Sequence, residues 1–557
     1  MGDLVLGPML RHVDERSATI WVETDEPCEV QILGTKARTF TVCGHHYALV
    51  IVEGLAPSST TPYEVHVDGE RRWPLADSTL PPSTIRTLDP TKPLRILFGS
   101  CRAAAPHEPP WDLELEFDER GRGVDAMRER GLAMLDQPPE EWPDLLLLLG
   151  DQVYADDSSP VARTRIALRR GELTDAEWNP KPEDVADFEE YTWLYHESWT
   201  PEIERWMFSV VPSAMIFDDH DMIDDWNISQ SWVEDIRAKS WWEEHVVGGV
   251  MTYWIYQHLG NLAPAEIDDE GMLQELILAG DGTELLREWA QRSEHFTPVP
   301  GGYRFSYYRR LGRVRLVVID CRNGRVLAPG ARLMVDDDEW AWIVDHAMVD
   351  CDHLVLATSV PVLMPGGLPE LEMWNEAVCD GRWGRRFGRI GERLRRELDL
   401  EDWPAFRASF DRYVSLLRDV ATPDRADGTR PPATVCMVSG DVHFTYRVEA
   451  WLADDSSRPA PTSRIHQIVC SPIRNALVKR ERLAIKVSLS RFGRGLGRLL
   501  RWSVRVRSPA LRWDRHPRVM FNNDMAMLQL DGRAAIVHLH NAGPEENQHV
   551  VLSDGSV

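Results

Sequence analysis

The sequence has few of the features that mark exported, membrane-spanning or disulfide-bonded proteins. Its eight cysteines are scattered over 557 residues without a Cys-x-x-Cys spacing, which excludes a zinc ribbon and argues against a disulfide framework. No apolar run reaches the length of a transmembrane helix, and the first residues carry neither a basic stretch followed by an apolar one nor a twin arginine. We therefore expect a cytoplasmic protein with mostly reduced thiols.

Positive charge is also scarce. Lys and Arg number 62 against 89 Asp and Glu, so the formal net charge is −27 at pH 7. Such a surface disfavours general binding to nucleic acid or anionic membrane, and it repels polyanionic substrates unless cations are bound in the site. With a hydrophobic fraction of 43%, the chain is long enough for about two to four globular domains.

Three catalytic signatures are missing. The sequence contains no Gly-x-Ser-x-Gly elbow, no P-loop and no Gly-x-Gly-x-x-Gly. A serine hydrolase and a nucleotide-dependent enzyme are therefore disfavoured.

The first 88 residues have the pattern of short antiparallel strands. Apolar and polar residues alternate at 18–22, 29–33, 47–52 and 63–67, with turn residues between them. This spacing predicts a small β-sandwich of the immunoglobulin or fibronectin III type over residues 1–88, followed by a Pro/Thr-rich linker.

From residue 94 onwards, apolar strands alternate with helical segments. We predict six strands, at 94–98, 144–149, 213–217, 314–319, 353–357 and 434–438. Acidic, Trp-rich helical stretches are expected at roughly 180–208, 231–293 and 336–420. The order is typical of an α/β fold with layered sheets flanked by helices, which we assign to residues 94–472 as the catalytic domain. Residues 473–557 are expected to complete that domain with a basic helical segment and a β-hairpin turning at Asp531-Gly532.

The charge balance reverses between residues 474 and 518. This segment contains fourteen Lys or Arg residues and only two acidic residues, Glu481 and Asp514, together with regularly placed apolar residues. A basic amphipathic stretch of this kind binds membrane surfaces, nucleic acid or phosphate-rich substrates. The alternative is a helical flap that lies against the acidic surface of the same protein.

Four of the predicted strands end in side chains that can bind metal ions. In chain order these are Cys101; Asp151 and Tyr154; Asp218, Asp219, His220 and Asp221; and Asp441 and His443. Each group has a structural explanation by itself, as a buried thiol, a packed tyrosine, a helix cap or a core histidine. If the strands are parallel neighbours, however, the four loops meet at one sheet edge and enclose a site for two or more hard cations.

These motifs resemble those of a known family. Gly150-Asp-x-x-Tyr154, Asp218-Asp-His-Asp221 and Ser439-Gly-Asp-Val-His443 closely resemble the PhoD-like phosphatases, the alkaline phosphatase D branch of the metallophosphoesterases. Gly7-Pro-Met-Leu-Arg11 looks like part of the family's N-terminal sandwich, and Asp320-Cys-Arg322 looks like its Asp-x-Arg segment. Gly-Asp-x-x-Tyr is also similar to the motif of purple acid phosphatases, in which the tyrosine binds ferric iron.

The resemblance implies two kinds of metal site. The implied Fe(III) ligands are Cys101, Asp151, Tyr154 and His443. Asp219 and Asp441 would face a second, divalent ion, with Ca²⁺ favoured and Mn²⁺, Zn²⁺ and Mg²⁺ as alternatives. Asp224 stands near a position where some members carry Asn, and this departure bears on the choice of the second ion.

The predicted activity is metal-dependent hydrolysis of a phosphate monoester or diester by a metal-activated water. His220 matches the catalytic histidine and is expected to stabilise charge or to protonate the leaving oxygen, while Arg322 and Arg102 are available to bind phosphoryl oxygens. The competing hypothesis is a catalytically drifted protein that docks to anionic lipid or RNA through residues 474–518. The physiological substrate and the oligomeric state do not follow from the sequence.

Overall fold

The computed structural model describes residues 2–171, 185–293, 303–423, 428–453, 456, 459–542 and 547–556. The predicted helical stretch 180–208 starts at residues 180–184, which lie outside these ranges. The strands of the N-terminal region are β1 Leu4–Val13, β2 Ala18–Thr24, β3 Glu29–Ile32, β4 Thr35–Arg38, β5 Phe40–Val42, β6 His45–Val52, β7 Thr60–Pro62, β8 Val65–Val67, β9 Glu70–Trp73 and β10 Thr84–Arg86.

Fourteen further strands follow in the described part of the chain. They are β11 Leu94–Gly99, β12 Leu145–Leu149, β13 Ser213–Ile216, β14 Tyr307–Leu311, β15 Val314–Ile319, β16 His353–Thr358, β17 Thr434–Ser439, β18 Thr445–Leu452, β19 Arg464–Val469, β20 Leu511–Trp513, β21 Val519–Met520, β22 Asp524–Asp531, β23 Ala534–Asn541 and β24 Gln548–Asp554.

The α-helices lie between these strands. They are α1 Ala126–Leu135, α2 Pro160–Arg170, α3 Phe188–Trp199, α4 Glu202–Val210, α5 Gln230–Arg237, α6 Trp242–Thr252, α7 Pro264–Glu270, α8 Met272–Ala279, α9 Thr283–Ser293, α10 Asp337–Ala347, α11 Leu368–Cys379, α12 Arg385–Glu397, α13 Arg407–Ala421, α14 Lys479–Leu489 and α15 Arg491–Ser503. None of them combines the length and the apolar character that crossing a bilayer requires.

The N-terminal region is all-antiparallel β structure. Its two four-stranded sheets have the orders β1-β2-β6-β5 and β4-β3-β8-β9. Alternate side chains of β2 point to opposite faces, as in any strand. Ile20 and Val22 pack in the core between the two sheets, whereas the ring of Trp21 packs against Tyr256 with centroids 5.2 Å apart. The first sheet is therefore covered on both faces.

Two larger sheets form the rest of the fold. One has the order β13-β12-β11-β22-β23-β24, and the other runs β14-β15-β16-β17-β19-β18-β20 with β21 paired to β18. β12 consists of five buried leucines and is hydrogen-bonded in parallel to β11 and β13, which is why a continuous apolar run fits this position. The predicted fold class is confirmed: mixed α/β, with sheets flanked by helices, after an all-β region. The division into three domains stays a prediction.

The six predicted strands are divided between the two sheets. β11, β12 and β13 are parallel neighbours in the first sheet, while β15, β16 and β17 are parallel neighbours in the second. The strand that precedes Asp441 therefore lies in a different sheet from those that precede Cys101, Asp151 and Asp219. Their loops can meet only across the space between the sheets. The strands around Asp531-Gly532 pair as a hairpin, and β22 joins it to β11.

Candidate metal centre

The loops at the ends of β11, β12 and β17 are held together by direct contacts. The backbone N–H of Cys101 donates to the Gly150 carbonyl at 3.1 Å, and that of Asp441 donates to Ser100 Oγ at 3.1 Å. Gly440 permits the second contact, since a Cβ built there would lie 2.0 Å from Ser100 Oγ. The two sheets thus meet at one rim, where the chain forms its polar clusters.

The first group contains the four predicted iron ligands. Cys101 Sγ lies 3.2 Å from Asp151 Oδ2, and ligand atoms of Cys101, Asp151 and His443 all lie within 4.8 Å of one another. Tyr154 Oη is 3.4 Å from His443 Nε2. The structure therefore brings a thiol, a carboxylate, a phenol and an imidazole together from three separate loops.

The second group is built of carboxylates. Ligand oxygens of Asp151, Asp218 and Asp219 lie within 4.8 Å of one another, so Asp151 belongs to both groups. Oδ1 of Asp151 and Oδ2 of Asp218 are buried and have no hydrogen-bond partner. Buried anionic oxygens without partners are costly unless a cation neutralises them. The donor set therefore fits one cation on each side of Asp151.

Backbone strain also occurs at the same residues. Cys101, Asp151, Asp441 and His443 have φ values of +59°, +53°, +69° and +54°, a region that side chains with a Cβ seldom occupy. Such conformations persist where the surroundings impose them, and they cluster at functional sites.

The electrostatics of the protein chain alone disfavour the charged forms of several donors. Burial, together with Asp218 and Asp219, raises the pKa of Asp151 and that of Asp441 well above the usual range of a carboxyl. Burial lowers the pKa of His443 to about 3, so its imidazole is neutral and able to bind a metal.

Asp221 is a structural member of the Asp218–Asp221 motif. Its Oδ2 accepts hydrogen bonds from the backbone N–H groups of Asp151 at 2.8 Å and Asp218 at 2.9 Å. Its Oδ1 accepts from the N–H of Gln152 at 3.2 Å and from Gln257 Nε2 at 3.1 Å. One carboxylate thus ties the β12 and β13 loops together.

His220 faces the centre from the β13 loop. Its Nδ1 donates to the carboxylate of Asp156 at 2.9 Å, and its ring packs against Tyr154 with centroids 4.8 Å apart. Burial opposes a positive charge, but Asp156 and Asp219 outweigh it and raise the pKa of His220 well above 6.5. His220 is partly exposed and is positioned to hold a proton beside the carboxylates.

Arg322 is fully buried among the acidic groups. Its Nε donates to Asp218 Oδ1, its Nη1 donates to Glu401 Oε2 at 2.6 Å, and its Nη2 lies 3.2 Å from Asp219 Oδ1 and 3.8 Å from Asp441 Oδ1. Arg325 also pairs with Glu401, but two guanidiniums cannot balance four ionised carboxylates, so excess negative charge remains when these carboxyls are ionised. The predicted contact of Arg322 with substrate stays a prediction.

Arg102 turns away from the carboxylate group and is paired elsewhere. Its guanidinium bonds to Asp125 at 2.7 Å and Glu204 at 3.0 Å, and its Nη1 donates to the Ser198 carbonyl at 2.8 Å. His107 joins Glu204 at 3.1 Å. Because an arginine already neutralises Asp125 and Glu204, this cluster does not require a metal. The substrate-binding role predicted for Arg102 also stays a prediction.

Two residues that hold other side chains of the site in place were not identified from the sequence. Asp156, which holds His220, follows Tyr154 by two positions but belongs to no motif. Glu401, which pairs with both Arg322 and Arg325, comes from a segment next to α12 that carries no signal. The role of Asp221 could have been predicted from the sequence, because Asp221 is the last residue of the acidic motif after β13.

Comparison with known proteins agrees with this architecture. A family model described as a domain of unknown function (DUF7800) matches residues 1–85. No curated protein matches the sequence. Among solved structures, that of PhoD matches with a TM-score of 0.57 at 12% identity, over 98% of this chain and 88% of that chain. A purple acid phosphatase from yellow lupin (Lupinus luteus) seeds matches with a TM-score of 0.47 at 8% identity, over 98% of this chain and 74% of that chain.

The likeness to PhoD concerns the fold. It extends over nearly the whole chain, and it confirms the structural resemblance expected from the motifs at 150–154, 218–221 and 439–443.

Proposed function

We propose that this protein is a metal-dependent phosphoric ester hydrolase. The observation that carries the proposal is the buried Asp151 carboxylate, with Oδ2 beside Cys101 Sγ and Oδ1 unpartnered among Asp218 and Asp219. Asp151 is thereby suited to bridge two cations. The likeness in fold to PhoD supports the same class of reaction.

We assign Fe(III) to the group that contains Cys101 and Tyr154. A thiol and a phenol become good ligands only as anions, and a trivalent ion stabilises those anions best. Asp219 and Asp441 offer hard oxygens suited to a divalent ion, with Ca²⁺ as our first choice and Mn²⁺, Zn²⁺ or Mg²⁺ as alternatives. Bound cations would neutralise phosphoryl oxygens and lower the pKa of a water molecule.

The proton that the leaving oxygen needs can come from a side chain of this protein, His220. Asp156 holds His220 through Nδ1. Nε2 lies 3.8 Å from Asp224 Oδ1, beyond hydrogen-bond distance, and is available to the substrate. The charged imidazole can donate its proton to the departing alkoxide. Asp441, His443 and His220 are partly exposed, so a phosphate ester can approach from their side, whereas Cys101 and Asp151 are buried. Whether a monoester or a diester is preferred depends on groups around this opening.

The test combines metal analysis with activity on chromogenic phosphomonoesters and phosphodiesters. We expect iron in the purified protein, and we expect Asp151→Ala to lose both iron and hydrolysis. Tyr154→Phe should lose the visible absorption of a phenolate–iron bond while the protein remains folded. Asp337→Ala is the matched control, because that carboxylate is 77% exposed. A metal-free wild-type protein that does not hydrolyse either ester after metal addition would refute the proposal.

The alternative of a catalytically drifted binding protein is less well supported. The donor groups in the four loops are present and in contact, and drift would be expected to replace some of them. The cytoplasmic location expected from the sequence stays a prediction.

A further inference from the structure

Helix α15 exposes an apolar face. Phe492, Leu496, Leu499 and Trp502 follow one another at intervals of four, three and three residues, so they lie on one side of the helix. Their exposed fractions are 72%, 44%, 59% and 74%. A large apolar surface of this kind indicates a binding site.

A different face of α15 attaches it to the protein. Gly497 is buried, and a Cβ built there would lie 2.8 Å from the Gly367 carbonyl oxygen at the start of α11. A Cβ on Gly367 would in turn lie 2.6 Å from the carbonyl oxygen of Gly493. Because the glycine face makes the close contact, the apolar face described above points away from the protein.

The third face of α15 is basic. Arg491, Arg494, Arg498 and Arg501 follow one another at intervals of three, four and three residues. Among the residues that the structure describes, Arg491, Arg494 and Arg498 form no ion pair with a carboxylate. The flap hypothesis, in which this segment neutralises the protein's own acidic surface, does not account for them. They are a local positive region on a chain of net charge −27.

Helix α14 also exposes apolar and basic side chains. Leu483 and Val487 are exposed and lie one helical turn apart, and Lys479 and Arg480 at its start are exposed as well. The two helices are joined at Ser490 and pack against each other. Together they form a hairpin, residues 479–503, that carries exposed apolar and basic side chains.

We propose that the 479–503 hairpin docks on an anionic lipid bilayer. Apolar side chains of such a helix enter the boundary between headgroups and acyl chains, and Lys or Arg side chains bind the anionic headgroups. RNA would engage the arginines but leave Leu483, Leu496 and Leu499 in water. A second copy of this chain, paired symmetrically through the same face, would bring like charges together.

The chain passes the candidate metal centre eight residues before α14 begins. Ser471 Oγ lies 3.2 Å from Cys101 Sγ, and α14 starts at Lys479 on the same stretch of chain. The proposal does not depend on the hydrolase activity.

Co-sedimentation of the full-length protein with vesicles tests the proposal. Vesicles of phosphatidylcholine alone are compared with vesicles that also contain phosphatidylglycerol. We expect binding to the anionic vesicles that weakens with added salt. The double variant Phe492→Ser/Trp502→Ser should bind roughly ten-fold more weakly or worse, since two large apolar side chains are lost from the interface. Arg491→Gln/Arg494→Gln/Arg498→Gln should weaken binding and reduce its dependence on salt.

Two controls separate this proposal from others. Leu168→Ser/Leu278→Ser removes exposed apolar side chains from α2 and α8 and should bind vesicles like the wild type. Asp151→Ala should also bind normally, so a failed hydrolase assay does not affect the result. No binding to anionic vesicles at low salt, or full binding by the Phe492/Trp502 variant, overturns the proposal. The proposal is also overturned if the Phe492/Trp502 variant differs from the wild type in oligomeric state or in RNA binding while its vesicle binding is unchanged.

Discussion

The side chain of Asp221 holds the backbone of Asp151, whose N–H donates to Asp221 Oδ2 at 2.8 Å. The two residues follow different strands, β12 and β13, and Asp221 is buried together with the group that it supports. The position of the candidate bridging carboxylate therefore depends on a residue that need not touch a metal.

Replacing Asp221 should damage the centre indirectly. In Asp221→Ala the buried N–H groups of Asp151 and Asp218 lose their acceptor, which should lower the free energy of unfolding by about 1–3 kcal/mol. We expect a lower metal content as well, with Asp221→Asn intermediate because its amide oxygen still accepts. Urea unfolding and metal analysis measure both effects, with Asp337→Ala as the exposed control. Wild-type stability and full metal content in Asp221→Ala would contradict this role.

Gly440 should be essential for the approach of the two sheets. A methyl group at this position would lie 2.0 Å from Ser100 Oγ and 2.2 Å from its Cβ, so Gly440→Ala should separate the β11 and β17 loops. We expect reduced stability and loss of bound metal. Adding Ser100→Gly should restore part of both, because it removes the colliding atoms. Gly495→Ala, where nothing lies within 4 Å, is the control and should be neutral or slightly stabilising.

The His220–Asp156 pair predicts a change in the pH profile. Burial favours the neutral imidazole, but Asp156 and Asp219 keep the pKa of His220 well above 6.5. If the imidazolium is the proton donor, activity falls as pH rises through that pKa. Asp156→Asn removes one carboxylate, so the alkaline limb of the kcat profile should move to lower pH. His220→Ala should lose roughly 10²- to 10⁴-fold in kcat. An unmoved limb in Asp156→Asn would argue against proton donation by His220.

A histidine far from the centre should make stability depend on pH. His45 lies 3.0 Å from Glu23 and 2.8 Å from Glu189 through its two ring nitrogens. Burial opposes its charge, but the bonds to Glu189 and Glu23 outweigh it and raise the pKa of His45 from 6.5 to about 9. The folded state therefore binds this proton more tightly, so the stabilisation is complete below the unfolded pKa and is lost as pH rises to about 9.

Comparing wild type with His45→Gln tests whether the stabilisation by His45 decreases as pH rises. The difference in free energy of unfolding should be largest below pH 6.5 and shrink as pH rises towards 9. Denaturant titrations across this range measure it. His66→Gln, whose partner Glu64 is exposed, should have a small effect, as exposed ion pairs contribute little. A difference for His45→Gln that grows with pH would contradict the assignment.

Much of the fold could be predicted because it depends on neighbours along the chain. The five leucines of 145–149 form the buried strand that the apolar run predicts, and Gly150 allows the turn that follows it. The donors Cys101, Asp151 and Asp219 were recognisable because each stands just after such a strand. The apolar and basic faces of α15 likewise follow from spacing, whereas the exposure of the apolar face is known only from the structure.

The sequence by itself determined the strands, the all-β N-terminal region and the candidate metal ligands, since propensity and periodicity are local properties. Only the tertiary structure decided that the loops of two different sheets meet, that Asp221 ties two of them and that Arg322 is enclosed by carboxylates. These contacts join residues far apart in sequence, such as Ser100 and Asp441, which are 341 positions apart. Their energies depend on burial and on which charges become neighbours, and neither is defined until the chain has folded.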